Sequence, residues 1–131
     1  MGIVNFTQAI KLDPTDYEAY YQRAEMYEKR GEMLLAMEDY AIATKLQPSK
    51  TDALFKHGLH YFNNGNWQNA INDFTDLFKQ DPQNWEARTY RGRAFAKLKH
   101  WDEAVEDLSA AIHLNPNNKL AYYYRGCILR K

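Results

Sequence analysis

Small and large apolar residues return along this chain in short sets, with members spaced four and then three apart. The sets are Tyr20-Ala24-Tyr27, Ala36-Tyr40-Ala43, Leu54-Gly58-Tyr61, Ala70-Phe74-Leu77, Arg88-Gly92-Phe95 and Ala104-Leu108-Ala111, in which Arg88 is the one charged member and a local departure from the pattern. A helix turns about 100° per residue, so each set falls on one helical face. The pattern predicts helices in pairs, A then B, with polar turns between them. Gly31 and Gly65 stand where helix A stops, a position that favours positive φ, and Lys99 holds the same place in the third pair. Pro14, Pro48, Pro82 and Pro116 follow each helix B at intervals of 34 residues. Proline cannot continue a helix, and it pushes the residue before it into extended backbone.

A fixed period of this size marks an internal repeat. Complete repeats occupy 17–50, 51–84 and 85–118, with residues 2–13 matching a helix B and 119–131 a helix A. Residues 1–131 are therefore expected to form a single array of eight helices that reads as a piece of a longer one. Glycine inside a helix costs about 1 kcal/mol relative to alanine. Gly58, Gly92 and Gly126 share the eighth repeat position, where a close approach of helices A and B would explain them. The fourth position carries Tyr20, Leu54 and Arg88, and Tyr122 in the tail, which is expected in the core.

The seventh position reads Arg23, His57, Arg91 and Arg125, and the twenty-third Asp39, Asp73 and Asp107. Their co-occurrence predicts ion pairs between helices A and B, with Asp107 serving either Arg91 or Arg125. A row of partner-binding arginines is the alternative.

Composition narrows the function. Lys plus Arg and Asp plus Glu are 17 each, which gives no electrostatic footprint for nucleic acid. No apolar run reaches the roughly 20 residues of a membrane span, and the opening MGIVNF has no secretory leader pattern. The single cysteine, Cys127, fits a reducing, intracellular and cytoplasmic setting. His57 and His60 have no cysteine or carboxylate cluster to complete a metal site. No catalytic motif or phosphate-binding glycine loop is present. The expectation is a protein that is not an enzyme and has no cofactor, nucleic acid or membrane to bind.

With a bulky residue at position 4, small at 8, aromatic at 11, alanine at 20, aromatic at 24, alanine at 27 and proline at 32, the chain resembles the tetratricopeptide repeat (TPR) family over essentially its whole length. The resemblance implies an all-α, right-handed α-solenoid of antiparallel helix pairs. It also implies a concave groove lined by A helices, in which a partner's extended peptide or helix binds. The face of helix A opposite the core then supplies the groove. Its residues are Tyr21, Gln22 and Glu25; Phe55, Lys56, Leu59 and Phe62; Tyr90, Arg93 and Lys97; and Tyr123, Tyr124 and Arg130. Tyrosine at the fifth position also serves packing alone in such repeats, which leaves Tyr21 and Tyr123 open. Chaperone adaptors that look like this hold a C-terminal carboxylate with lysines, asparagines and an arginine at set positions. Those positions here read Tyr21, Glu25, Lys56, Glu86 and Tyr90, or Phe55, Leu59, Tyr90, Leu120 and Tyr124. No such carboxylate-clamp chaperone binding is expected. The partner is a protein or peptide. The alternative is a structural spacer or self-assembly element, associating through Ile3, Phe6 and Ile10 at one end and Tyr122 and Leu129 at the other.

Overall fold

The computed structural model describes residues 2–130. It contains α1 (Gly2–Leu12), α2 (Tyr17–Lys29), α3 (Met33–Leu46), α4 (Asp52–Asn63), α5 (Trp67–Gln80), α6 (Trp85–Lys97), α7 (Trp101–Leu114) and α8 (Lys119–Leu129). No strand occurs among the described residues, and the fold class is an all-α helical repeat. Helices α2, α4, α6 and α8 are the A helices; α1, α3, α5 and α7 are the B helices. The chain divides into two compact units, Met1–His57 and Gly58–Lys131.

Each helix A ends by the same device. In α2, Glu32 N–H reaches back to Tyr27 C=O and Gly31 N–H to Glu28 C=O. The pattern recurs at Asn66 and Gly65 after α4, and at His100 and Lys99 after α6. These paired bonds satisfy carbonyls that the helix end would leave open, and they need a left-handed residue at the turn. Gly31 and Gly65 sit at φ 77° and Lys99 at 65°. A lysine there stores about 1–2 kcal/mol of strain that glycine avoids. Each helix B ends in extended backbone at Gln47, Asp81 and Asn115, as the following proline requires.

The A helices start on side-chain caps. Asp16 Oδ1 accepts from Ala19 N–H, Asn84 Oδ1 from Ala87 N–H and Asn118 Oδ1 from Ala121 N–H. Repeat two has Lys50 at that position and no such oxygen. There Tyr17 Oη accepts from Ala53 N–H at 3.1 Å, the N–H equivalent to the other three. A phenol from the previous repeat thus does the work of a cap. Tyr17→Phe keeps the ring and deletes the acceptor of a buried donor, so it should lower stability by about 1–3 kcal/mol. Chemical unfolding of the two proteins checks this; an unchanged midpoint would show that Ala53 N–H is satisfied elsewhere.

In the first unit, α2 packs on α1 and α3. Its core gathers Tyr17, Tyr20, Ala24, Ala36, Tyr40, Ala43 and Ala53, with Ile10, Tyr21 and Tyr27 packed against it. In the second unit, α6 packs on α5 and α7, and α8 on α7. Phe74, Leu77, Leu108 and Ala111 are fully buried there. A Cβ on Gly58 would lie 2.9 Å from the Phe74 ring, and one on Gly92 would lie 3.0 Å from Leu108 Cγ. Those two glycines sit at close helix approaches. Gly126 does not: nothing lies within 4 Å of its Cβ direction. Tyr122 likewise departs from the expected core place and is 46% exposed, because no helix of the described residues closes over that side of α8.

Candidate functional site on the A helices

Two ion pairs that join a helix A to its helix B are bidentate. Arg23 donates to both oxygens of Asp39, at 2.7 and 2.8 Å. Arg91 does the same to Asp107, at 2.7 and 2.6 Å. Both aspartates are buried, so these arginines are committed to the fold. Arg125 is not paired with Asp107, since Arg91 and Arg88 occupy that carboxylate. It donates instead to Ser109 Oγ at 3.2 Å and lies over the Tyr122 ring. His57 ends the first unit and Asp73 lies in the second.

A third member of this arrangement was hidden in the sequence. Arg23 also donates to Thr7 Oγ1, and Arg91 to Thr75 Oγ1, just as Arg125 does to Ser109. All three hydroxyls stand at position 25 of the preceding helix B. Repeat two departs twice, with Ala41 for the hydroxyl and His57 for the guanidinium. The recurrence of Thr, Thr and Ser sixteen residues before each arginine was the available signal, but a hydroxyl on a helix surface is ordinarily unremarkable.

In the first unit the expected groove residues are largely packed. Tyr21 stacks on Tyr17 at 5.9 Å and meets Tyr40 edge-on at 5.6 Å. Burial, helped by the nearby Glu25 and Asp52 charges, pushes its hydroxyl up to about 12. Tyr40 is raised further still, by burial and then by its hydroxyl's donation to Glu28 Oε1 at 2.9 Å. Both phenols therefore stay neutral under physiological conditions. Glu25, Phe55 and Lys56 are half-buried and Gln22 is exposed.

The second unit is built differently. Phe62 is only 8% exposed. It meets Trp67 and Tyr90 edge-on at 5.2 and 5.1 Å, so it supports the surface more than it forms it. Leu59 and Tyr90 are half-buried. Arg93 lies over three rings: Tyr124 at 4.2 Å, Phe62 at 4.9 Å and Tyr90 at 5.5 Å. Lys97, one turn on, stands over Trp67 at 5.8 Å. Ring faces attract cations in this way with about 0.5–2 kcal/mol each. Tyr124 meets Tyr123 edge-on at 5.1 Å, and Tyr123 is 62% exposed. Between α6, the first turn of α7 and α8 lies an open cavity of about 360 Å³. Its walls are Arg93, Ala96, Lys97, Trp101, Tyr123, Tyr124, Cys127 and Ile128. The structure thus gathers Arg93, Lys97, Tyr123 and Tyr124 around one cavity and adds Trp101 and Ile128, which helical periodicity assigned to neither face of interest. Arg130 is exposed just beyond the end of α8. No group of three metal-binding side chains occurs among the described residues. None of the described helices is long and apolar enough to cross a membrane.

Paired helices at a 34-residue period, closed by glycine turns and proline stops, with one face of each helix A kept out of the core, define a helical-repeat scaffold. The chain belongs to the tetratricopeptide repeat family: models of that repeat match residues 5–38 and 55–119. No curated protein matches it. Solved structures with the same fold include the first TPR of Spaghetti (RPAP3) bound to the HSP90 peptide SRMEEVD. It is 21% identical with a TM-score of 0.80, over 87% of this chain and 90% of that one. The Arabidopsis OM64 TPR domain is 24% identical with a TM-score of 0.79, over 87% and 94%. MamA is 20% identical with a TM-score of 0.88, over 98% and 75%. TPR domains are protein–protein interaction modules.

Proposed function

We propose that this chain is an adaptor segment that binds a peptide or helix of a partner protein on the face lined by its A helices. The observation that carries the reading is the aromatic surface of the second unit. Tyr123 is mostly in water, Tyr124 is half-buried, and both line an open cavity, while the half-buried Tyr90 stands on the neighbouring helix A under Arg93. Rigid aromatic side chains of this kind are the usual anchors of protein interfaces.

The bound peptide of the Spaghetti domain does not transfer as such. The positions at which relatives clamp a terminal carboxylate hold Glu25, Glu86 and Tyr90 here, and the glutamates would repel it. The chemistry of the chain otherwise fits non-covalent binding, with no enzymatic role.

The test compares partner binding by the parent protein and by Tyr123→Ala combined with Tyr124→Ala. At least a tenfold loss of affinity with unchanged melting is expected. If the double variant melts lower, Tyr123→Ala alone replaces it, since that ring has little packing to lose. Undiminished binding by either correctly folded variant would sink this reading. It would also raise a second one, self-association through α1 and α8, which expose Val4, Leu12, Tyr122 and Leu129. A mass that rises with protein concentration is the signature of that arrangement.

A further inference from the structure

Arg93 and Lys97 stand four residues apart on one face of α6, where like charges repel. Neither makes an ion pair or a side-chain hydrogen bond among the described residues. Each is held only by the faces of aromatic rings. A ring face attracts a cation but accepts nothing from the in-plane N–H groups. The guanidinium of Arg93 is thus held in place among three rings while its forked donors remain available, in contrast to Arg23 and Arg91, whose donors are spent on aspartates.

The cavity beside these cations is apolar on its remaining sides: Ala96, Trp101, Tyr123, Tyr124, Cys127 and Ile128. No carboxylate of the described residues lines it. Its volume of about 360 Å³ lies near the lower end of the range of about 300–1,000 Å³ for ligand pockets. The charge of the surroundings has the same sign. Residues 58–131 carry ten Lys and Arg against eight Asp and Glu, whereas residues 1–57 carry seven against nine.

Resting on the A-helix reading above, we propose that this cavity is a specificity pocket for an internal acidic motif of a partner peptide. A large apolar side chain fills the cavity, and the carboxylate of the adjacent Asp or Glu forks onto Arg93, with Lys97 adding charge. A planar guanidinium matches a carboxylate bidentately. Pre-ordering by the three rings reduces the entropy that binding would otherwise lose. In the two clamp frames that the sequence offers, α6 supplies Glu86 and Tyr90, so Arg93 and Lys97 lie outside both. The recognised group is therefore a side chain, and a free C-terminus is not required.

Cys127 supplies the readout, because it is the only cysteine in the chain and lines the cavity. Its alkylation by iodoacetamide is timed in the presence of acetyl-Gly-Ser-Gly-Phe-Asp-Glu-Gly-Ser-Gly-amide, which has no free carboxyl terminus. The control peptide replaces Asp-Glu by Asn-Gln. The acidic peptide should slow alkylation at least fivefold at saturation. The control should need at least ten times the concentration for half of that protection. Arg93→Met, which keeps packing volume against the rings, should lose the preference between the two. Equal protection by both peptides, protection by neither, or a preference that survives in Arg93→Met would overturn the proposal. Should Arg93→Met melt lower than the parent, the two-peptide comparison on the parent protein decides alone. If the peptides fail while the Tyr123 and Tyr124 substitutions still abolish partner binding, the pocket assignment falls and the A-helix reading stands.

Discussion

Asp107→Ala is expected to lower stability by roughly 3–5 kcal/mol, the usual effect of removing one partner from a buried ion pair. Asp107 is 1% exposed and accepts three hydrogen bonds from two guanidinium groups. Alanine would leave Arg88 and Arg91 both charged, stacked over the same Phe78 ring and without a counter-charge. The effect should be concentrated in the second unit, so thermal melting is best paired with amide exchange of α6 and α7. Arg88 provides the contrast. Its Nε is buried with no acceptor among the described residues, which offsets its single bond to Asp107. Arg88→Leu restores the apolar residue that Leu54 supplies in repeat two, and it leaves the two Arg91 bonds in place. It should be within about 1 kcal/mol of neutral. Comparable losses for Asp107→Ala and Arg88→Leu would contradict the picture of Asp107 as the centre and Arg88 as an addition.

Gly92→Ala should lower stability by about 1–3 kcal/mol, although alanine is the better helix former by about 1 kcal/mol. The new methyl would meet Leu108 Cγ at 3.0 Å, the Ala104 carbonyl oxygen at 3.2 Å and Asp107 Cβ at 3.2 Å. Two of those three belong to the backbone or to the root of a side chain held by two arginines, so the helices themselves must separate. Gly126→Ala occupies the same repeat position and should do the opposite, raising stability by up to about 1 kcal/mol, because its surroundings are open. Opposite signs in parallel melting experiments would establish that packing between helices A and B, and not glycine itself, is what the eighth position serves. Equal signs would refute it.

These contrasts mark what could be read from residues alone. Helix boundaries were legible because proline and glycine act locally, and the matching of Arg23 with Asp39 was legible because two positions recurred together. Phe62 was harder. Periodicity puts it on the outward face of α4, but Trp67 from the next helix and Tyr90 from the next repeat fold over it, and periodicity carries no information about neighbours. Arg88 looked like a defect at an apolar position, yet it found a second lone pair on Asp107. Tyr122 matched a core position, yet none of the described helices covers it. Arg93 and Lys97 were legible as cations on the outward face. Their confinement by rings from four helices was not, since those rings come from residues 62, 67, 90 and 124.

The hydrogen bonds from Arg23, Arg91 and Arg125 to the hydroxyls of Thr7, Thr75 and Ser109 bear on how such arrays are recombined. Each arginine lies in one 34-residue period and its hydroxyl in the period before. A transplant cut at the proline turns would part the two and leave a donor facing whatever the new neighbour offers. A breakpoint in the loop after helix A, at Gly31, Gly65 or Lys99, keeps them together. The portable block of this chain is therefore a helix B with the helix A that follows it, out of phase with the repeat as the prolines mark it.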